Sequence, residues 1–356
     1  MEKTKAAKEL ATAKYIWIYG AGEVGRKAAA DLRKRPIYSR LKGFVVSKCP
    51  DTSFFEGFEI VGLDSVNTPP EETFFLIAVS DKFQQEIMSM LTEHGYNGYA
   101  AWNPSFMLYS SDYTFINRKK GNNKLCLVLS GYKDFLWNIV FSRLEKFIPS
   151  DVEVCILSSG LYSEVLDSIA KSKDYSYLYT ELNDLTLVQN LALCLYDDIE
   201  WVYKMDEDMF LTDYCFEKLM NTYGIVEGKE RYKVGFVAPL IPLNGYSYVH
   251  ILNHYGVLNE YENRFGTAYY GGHKERAIEC RADVSGFIWG EDGGLPQLDD
   301  MNKDFSKKWS YSVCGVRYSI GFILFKREFW ELLGGFNMYG ETDLGVDELQ
   351  ICANCA

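Results

Sequence analysis

The chain has 356 residues, 47% apolar and 24% charged, with a formal net charge of −12. That balance excludes nucleic-acid binding by phosphate neutralisation and broad adhesion to anionic membranes, and the apolar runs are too short to span a bilayer. The length suits two domains of ordinary size, and 26 tyrosines and 22 phenylalanines mark an aromatic-rich globular protein.

The first ten residues mix charges and lack an apolar core, so no signal peptide is expected. Residues 15–19 then read as a buried strand. Gly20-Ala21-Gly22-Glu23-Val24-Gly25 follows at once, ahead of a helical run over 26–35. Strand, G-x-G-x-x-G and helix in that order match the dinucleotide fingerprint: the glycines allow a tight turn and bring a helix N-terminus to a phosphate. Strand-like runs at 41–46 and 74–79 and a helix over 81–94 complete a small α/β unit of Rossmann type, assigned to residues 1–105. A dinucleotide site also needs an acid after the second strand. Here Val46 is followed by Ser47 and Lys48, and Asp51 comes only after Cys49-Pro50. The unit resembles the nucleotide-sugar-binding N-terminal domains of sugar O- and N-acyltransferases. That resemblance implies a nucleotide or nucleotide-sugar ligand at Gly20, Gly22 and Gly25, with a structural or docking role as the alternative.

Residues 106–123 are polar and turn-rich and read as a linker. Arg118-Lys119-Lys120 within it is expected to be solvated. From Lys124 the pattern is β-α-β-α-β, with helices over 135–147, 162–172 and 185–195. Crossovers of that length favour a parallel sheet. The loops at Ser130, Ser158 and Asp206 all fall at its carboxyl edge, where such sheets bind ligands.

Met205-Asp206-Glu207-Asp208-Met209 is the most informative stretch. Carboxylates at i and i+2 point to one side of a strand. They repel unless a cation or solvent screens them. Hard oxygen ligands suit Mg²⁺ or Mn²⁺, which in turn hold phosphates. Glu207 is expected on the other side, as a strand-end surface charge.

Five further stretches fall in order around this motif: KLCLVLSGY from Lys124, DVEVCILSSG from Asp151, ELNDLTLVQN from Glu181, GFILFKREFWELLGGF from Gly321 and GVDELQIC from Gly345. With EWVYKMDEDMF from Glu200, they give residues 124–356 a resemblance to family 2 glycosyltransferases of the GT-A fold, over about two-thirds of the chain. The resemblance implies an α/β fold and a metal-dependent, inverting transfer of sugar from a nucleotide-sugar donor, a UDP-sugar first among them. The acceptor would be a glycan or lipid-linked sugar in surface polysaccharide biosynthesis. Asp206 and Asp208 would hold the metal, with Asp208 the direct ligand. Ser130, Gly131, Tyr132, Ser158, Asn190 and Asp206 would meet the donor. Asp347 would be the base, with Glu348 its alternate because Val346 shifts the register. The chain departs from the pattern in three places. Ser158-Ser159-Gly160 replaces a strand-end Asp, Leu185 a glycine, and Gln189 a basic residue. The resemblance also implies helices beyond this point, so residues 124–356 read as a short or C-terminally truncated form.

The stretch 241–308 is rich in Tyr, Asn and Gly and reads as a variable loop suited to stacking on a sugar acceptor. His250, His254 and His273 are weaker candidates for a further metal ligand, and Glu291-Asp292 after Trp289 is a rival source of the base. Cys126, Cys155 and Cys194 lie in apolar runs and read as reduced thiols, and the Cys352–Cys355 pair is too small for a closed zinc site. A cytoplasmic setting is expected, with at most peripheral membrane association. Two other functions remain open: an NAD(P)-linked oxidoreductase led by Gly20–Gly25, opposed by the missing ribose acid and the lack of a Tyr-x-x-x-Lys set, and a non-catalytic nucleotide-sugar-binding or scaffold protein.

Overall fold

The computed structural model describes residues 6, 9–10, 12–33, 36–47, 54–102, 113–229, 233–270, 277–291, 294–315, 317–336 and 346–355. The chain is α/β and divides into two compact units, residues 1–113 with 180–182, and 114–179 with 183–356.

The first unit is built on a six-stranded sheet, β1 (Tyr15–Tyr19), β2 (Leu41–Val46), β3 (Phe54–Phe55), β4 (Phe58–Gly62), β5 (Thr73–Ile77) and β6 (Tyr99–Ala101), in the order β3-β4-β2-β1-β5-β6. β1 pairs in parallel with β2 and with β5, β2 with β4, and β5 with β6; β3–β4 is an antiparallel hairpin. Both faces of β1 are buried, which is why its sequence is apolar without alternation. Ile16 and Ile18 pack with Ala28, Ala29 and Leu32 of α1 (Glu23–Arg33); Trp17 and Tyr19 pack with Ile87 and Leu91 of α2 (Asp81–Glu93).

The turn between β1 and α1 explains its glycines one by one. Gly20 has φ +117° and lies against the Ala78 carbonyl. A Cβ on Gly25 would lie 2.0 Å from the Gly20 carbonyl oxygen, whereas one on Gly22 meets nothing within 4 Å. The position after β2 is Ser47, whose hydroxyl bonds Tyr19 Oη at 2.9 Å; Lys48 and Asp51 lie outside the described residues.

The second unit is built on a seven-stranded mixed sheet. Its strands are β7 (Tyr113–Ile116), β8 (Lys124–Leu129), β9 (Val152–Ser159), β10 (Ser176–Thr180), β11 (Trp201–Asp206), β12 (Phe236–Val237) and β13 (Phe322–Lys326). Their order is β12-β13-β11-β8-β9-β10-β7, with β11, β8 and β9 parallel and β12–β13–β11 antiparallel. β7 corrects the linker assignment: residues 113–116 are an edge strand of this sheet. Two residues of the basic patch after it, Arg118 and Lys119, are structural rather than solvated, whereas Lys120 is exposed as expected. Arg118 donates to the Tyr175 carbonyl at 2.8 Å and Lys119 to that of Leu195.

Three helices follow the central strands. In α3 (Asp134–Phe147), Trp137, Val140, Phe141 and Leu144 pack on the face made by Cys126, Val128, Ile156, Tyr203 and Met205. In α4 (Glu164–Ser172) the buried positions are Leu166 and Ala170, at helical spacing. α5 (Leu185–Leu195) is buried on all sides from Thr186 to Cys194 and lies against β8 and β9. Its N-terminus is capped by Asp184, which accepts from the backbone N–H groups of Thr186 and Leu187. α6 (Cys215–Lys229) follows β11.

The segment 241–308 is mainly helical rather than the expected variable loop. It holds α7 (Ser247–His254), α8 (Leu258–Phe265), α9 (Ala277–Cys280), α10 (Ala282–Ile288) and α11 (Leu298–Ser306). Its aromatics form a core of their own, in which Tyr248, Tyr261, Phe287 and Met301 are buried together. The chain then enters β13, α12 (Arg327–Leu332) and α13 (Val346–Asn354).

Among the described residues no helix is long and apolar enough to cross a membrane. Cys126, Cys155 and Cys194 are buried, as expected.

The glycine turn gives a first test. Gly25→Ala should destabilise the first unit by about 1–3 kcal/mol through overpacking against a backbone that cannot yield. Gly22→Ala should stay within about 1 kcal/mol, the effect of a changed helix N-cap. Urea unfolding of the two variants checks the difference.

Candidate functional site

Register sets the site. Asp206 pairs with Leu129, and Leu129 with Leu157, so the carboxyl ends of β11, β8 and β9 finish in one row. Ser130, Ser158 and Asp206–Asp208 are therefore neighbours, as expected of loops at the carboxyl edge of parallel strands.

Glu207 is the principal correction to the sequence reading. It is 7% exposed, not a surface charge. Its carboxylate accepts three successive backbone N–H groups, from Gly131 at 2.8 Å, Tyr132 at 3.0 Å and Lys133 at 3.1 Å, and the Trp137 indole N–H at 2.7 Å. One side chain thereby fixes the whole loop from β8 into α3 and satisfies donors that have no helical partner.

Asp206 and Asp208 each carry a lysine. Lys204 lies two residues before Asp206 on the same side of β11 and is 3% exposed. Its ammonium donates to Asp206 Oδ1 at 2.6 Å and to the Ile320 carbonyl at 3.0 Å. Lys133 pairs with Asp208 Oδ2. Among the described residues, Asp206 Oδ2 and Asp208 Oδ1 take part in no hydrogen bond. The Asp206 side chain keeps an open rim, 35% exposed. Even so, desolvation by its surroundings pushes the carboxyl up to about 6, against the pull of Lys204, and Asp208 and Asp347 add to the rise. Desolvation tends to lower the Lys133 ammonium, but Asp208, then Glu207 and Asp206, outweigh it and raise its pKa above the ordinary lysine value.

The proposed base is held from α5. Asp347 is 4% exposed. Its Oδ2 accepts Gln189 Nε2–H at 3.1 Å, and its Oδ1 the N–H of Glu348 at 2.9 Å. Glu348 is paired with Arg317. Gln189 thus orients Asp347 from the position where the resemblance expects a basic residue.

Two expected donor contacts are turned inward instead. Asn190 is fully buried. Its Oδ1 accepts from the Trp330 indole and the Phe336 N–H, both at 2.8 Å, and its Nδ2 donates to the Phe336 carbonyl at 2.8 Å. Three of the four hydrogen-bonding valences of that amide are committed to α12 and the chain just after it, so it is a structural tie. Ser158 is 1% exposed; its hydroxyl donates to the Leu161 carbonyl at 2.7 Å and bonds Tyr177 Oη at 2.9 Å. Ser130, Gly131 and Tyr132 do lie on the strand-end loop. Among the described residues Ser130 Oγ is buried without a protein partner. The exposed Tyr132 ring anchors its hydroxyl on the Ser159 carbonyl and Asn183 Oδ1. A groove of about 670 Å³ runs alongside, between Gly131, Tyr132 and Trp137 on one wall and Leu161, Tyr162 and Val165 on the other.

The weaker candidates disperse. His250 packs between Tyr246 and Tyr270, and His254 stacks on Phe305 with ring centroids 4.3 Å apart. His273 and Asp292 lie outside the described residues. Among the described residues no three His, Cys, Asp or Glu side chains form a ready-made metal cage. The Asp206–Asp208 pair offers two hard oxygens, the number for a Mg²⁺ or Mn²⁺ ion whose remaining ligands are water and substrate phosphate.

Sequence reasoning missed Glu207, Lys133, Trp137 and Gln189 as parts of the site. Lys204 carried a signal, its i−2 spacing from Asp206. The others are joined to the site only by the fold.

No protein-family model matches the chain, and a search of curated proteins returns no match.

Two variants test these roles. Glu207→Gln puts an amide N–H among four donors and should cost about 2–4 kcal/mol, with the Trp137 fluorescence disturbed. Asn190→Leu leaves two N–H groups and a carbonyl buried without partners and should likewise cost about 2–4 kcal/mol. Denaturant melts of both proteins give the values.

Proposed function

We propose that this protein is a metal-dependent, inverting glycosyltransferase that moves a sugar from a nucleotide-sugar donor to a glycan or lipid-linked acceptor. In this reading the first unit is a Rossmann-like accessory domain and the second a GT-A-type catalytic domain. The observation that carries the proposal is the Asp206–Asp208 pair at the carboxyl end of β11, in one row with the ends of β8 and β9; Asp347 is held separately on α13 by Gln189, and its charge and that of Asp208 both raise the Asp206 carboxyl. Supporting it are the open oxygens of the aspartate pair and the fixed loop at Ser130–Lys133 beside the groove.

Asp206 and Asp208 would hold Mg²⁺ or Mn²⁺, which supplies Lewis-acid neutralisation of charge growing on the diphosphate. The chain's own residues do the rest. The Ser130–Tyr132 loop presents the donor against a backbone that Glu207 has already ordered, so little reorganisation remains at binding. Asp347, held by Gln189, accepts the proton of the attacking acceptor hydroxyl. Glu348 is less suited to that role because Arg317 occupies its carboxylate. Inversion follows from a single displacement without a covalent sugar on the protein.

The oxidoreductase reading is the weaker one. Space above Gly22 would admit a phosphate, but the residue after β2 is a serine already bonded to Tyr19. Action in the cytoplasm, with peripheral contact to a lipid-linked acceptor, completes the proposal.

Turnover of a panel of UDP-sugars with Mn²⁺ is the test. Asp208→Asn should lose at least ~100-fold in donor hydrolysis and transfer, as should removal of the metal by a chelator. Asp347→Asn should lose about 10²–10⁴-fold in transfer while still binding the nucleotide. Full activity in both variants would overturn the reading.

A further inference from the structure

The two lysines at the aspartate pair are held in different ways, and the difference has a functional consequence. Lys204 is 3% exposed and fixed by the Ile320 carbonyl as well as Asp206. It is a permanent part of the sheet. Lys133 and its partner Asp208 are 45% and 40% exposed, and among the described residues Asp208 is the only partner of the ammonium. The Lys133 backbone cannot drift, because its N–H is bound to Glu207 at 3.1 Å. Only the flexible stem of the side chain is free to move.

A divalent cation arriving at Asp208 meets an ammonium on the same carboxylate. Two like charges at that separation repel strongly. Either the metal stays out or the ammonium leaves. The negative charge nearest to a displaced Lys133 would then be the diphosphate that the metal brings in. We propose that Lys133 competes with the divalent cation for Asp208 and, once displaced, places its ammonium on the donor diphosphate as a second positive contact. The inference rests on the transferase reading above and adds a substrate-binding residue to it. It also gives the site a reason to favour metal and donor together over metal alone: each relieves the charge conflict that the other creates.

The signature is a pair of effects of opposite sign. The full-length protein and its Lys133→Met variant are titrated with Mn²⁺ alone, read by electron paramagnetic resonance, and then with uridine diphosphate at saturating Mn²⁺, read by calorimetry. Lys133→Met should bind Mn²⁺ about three- to tenfold more tightly and the nucleotide about three- to tenfold more weakly, the scale of one partly exposed ion pair. Lys133→Arg should keep the nucleotide affinity within about threefold. A merely structural role would move both affinities in one direction, and that result overturns the proposal. Mn²⁺ affinity that is unchanged or weaker in Lys133→Met overturns the competition, and unchanged nucleotide affinity overturns the contact with the diphosphate. If Mn²⁺ binds neither protein, the metal reading itself fails and the inference falls with it. Wild-type binding with no difference between variants sinks the inference alone.

Discussion

The site depends on one buried carboxylate, that of Glu207. A loop that leaves a strand and enters a helix carries N–H groups with no partner in either element. Buried, each would cost free energy comparable to a lost hydrogen bond. Glu207 takes up three of them in succession and adds the Trp137 indole. The indole belongs to the same apolar layer as Val128, Tyr203 and Met205. The carboxylate therefore ties the β8–α3 loop to the end of β11 and to the core at once. Since Asp206 and Asp208 flank it in sequence, the act of folding this loop also fixes where the aspartate pair stands relative to Ser130 and Tyr132.

The α/β class was legible because its strands are buried. Tyr15–Tyr19, Lys124–Leu129 and Val152–Ser159 are near-continuous apolar runs, as strands covered on both faces must be. The aspartate pair was legible for a similarly local reason: spacing along a strand fixes the side of the sheet. The role of Glu207 was not legible by that rule. Alternation says that Glu207 points away from its neighbours but is silent about what waits there. Three donors from the β8–α3 loop and one from α3, seventy or more residues away in sequence, turned an apparent surface charge into the anchor of the site.

Other misreadings have physical causes of the same kind. Tyr113–Ile116 is too short and too polar in its surroundings to announce a strand, and only the edge left beside β10 recruits it. The aromatic stretch 241–308 reads as loop in the sequence because its helices are short and separated by polar turns. Tyrosines there supply the apolar mass of a small core, with Tyr248 and Tyr261 packed at 5.6 Å between ring centroids. In both cases packing outweighs local propensity.

Gln189 and Asn190 show how far the site's geometry is delegated to the scaffold. Adjacent on α5, they point in different directions and grip different parts of the C-terminal segment. Asn190 clamps Trp330 and Phe336 through three hydrogen bonds. Gln189 holds Asp347. α5 can do this because it is buried on every side, so neither amide has water as an alternative partner. A neutral amide beside Asp347 also differs in kind from the basic residue that the resemblance leads one to expect. It orients the carboxylate without neutralising it. The negative charge of Asp347 thus stays available to the aspartate pair, where it helps raise the pKa of Asp206. In this chain the positive charge on the aspartate pair comes instead from Lys204 and Lys133.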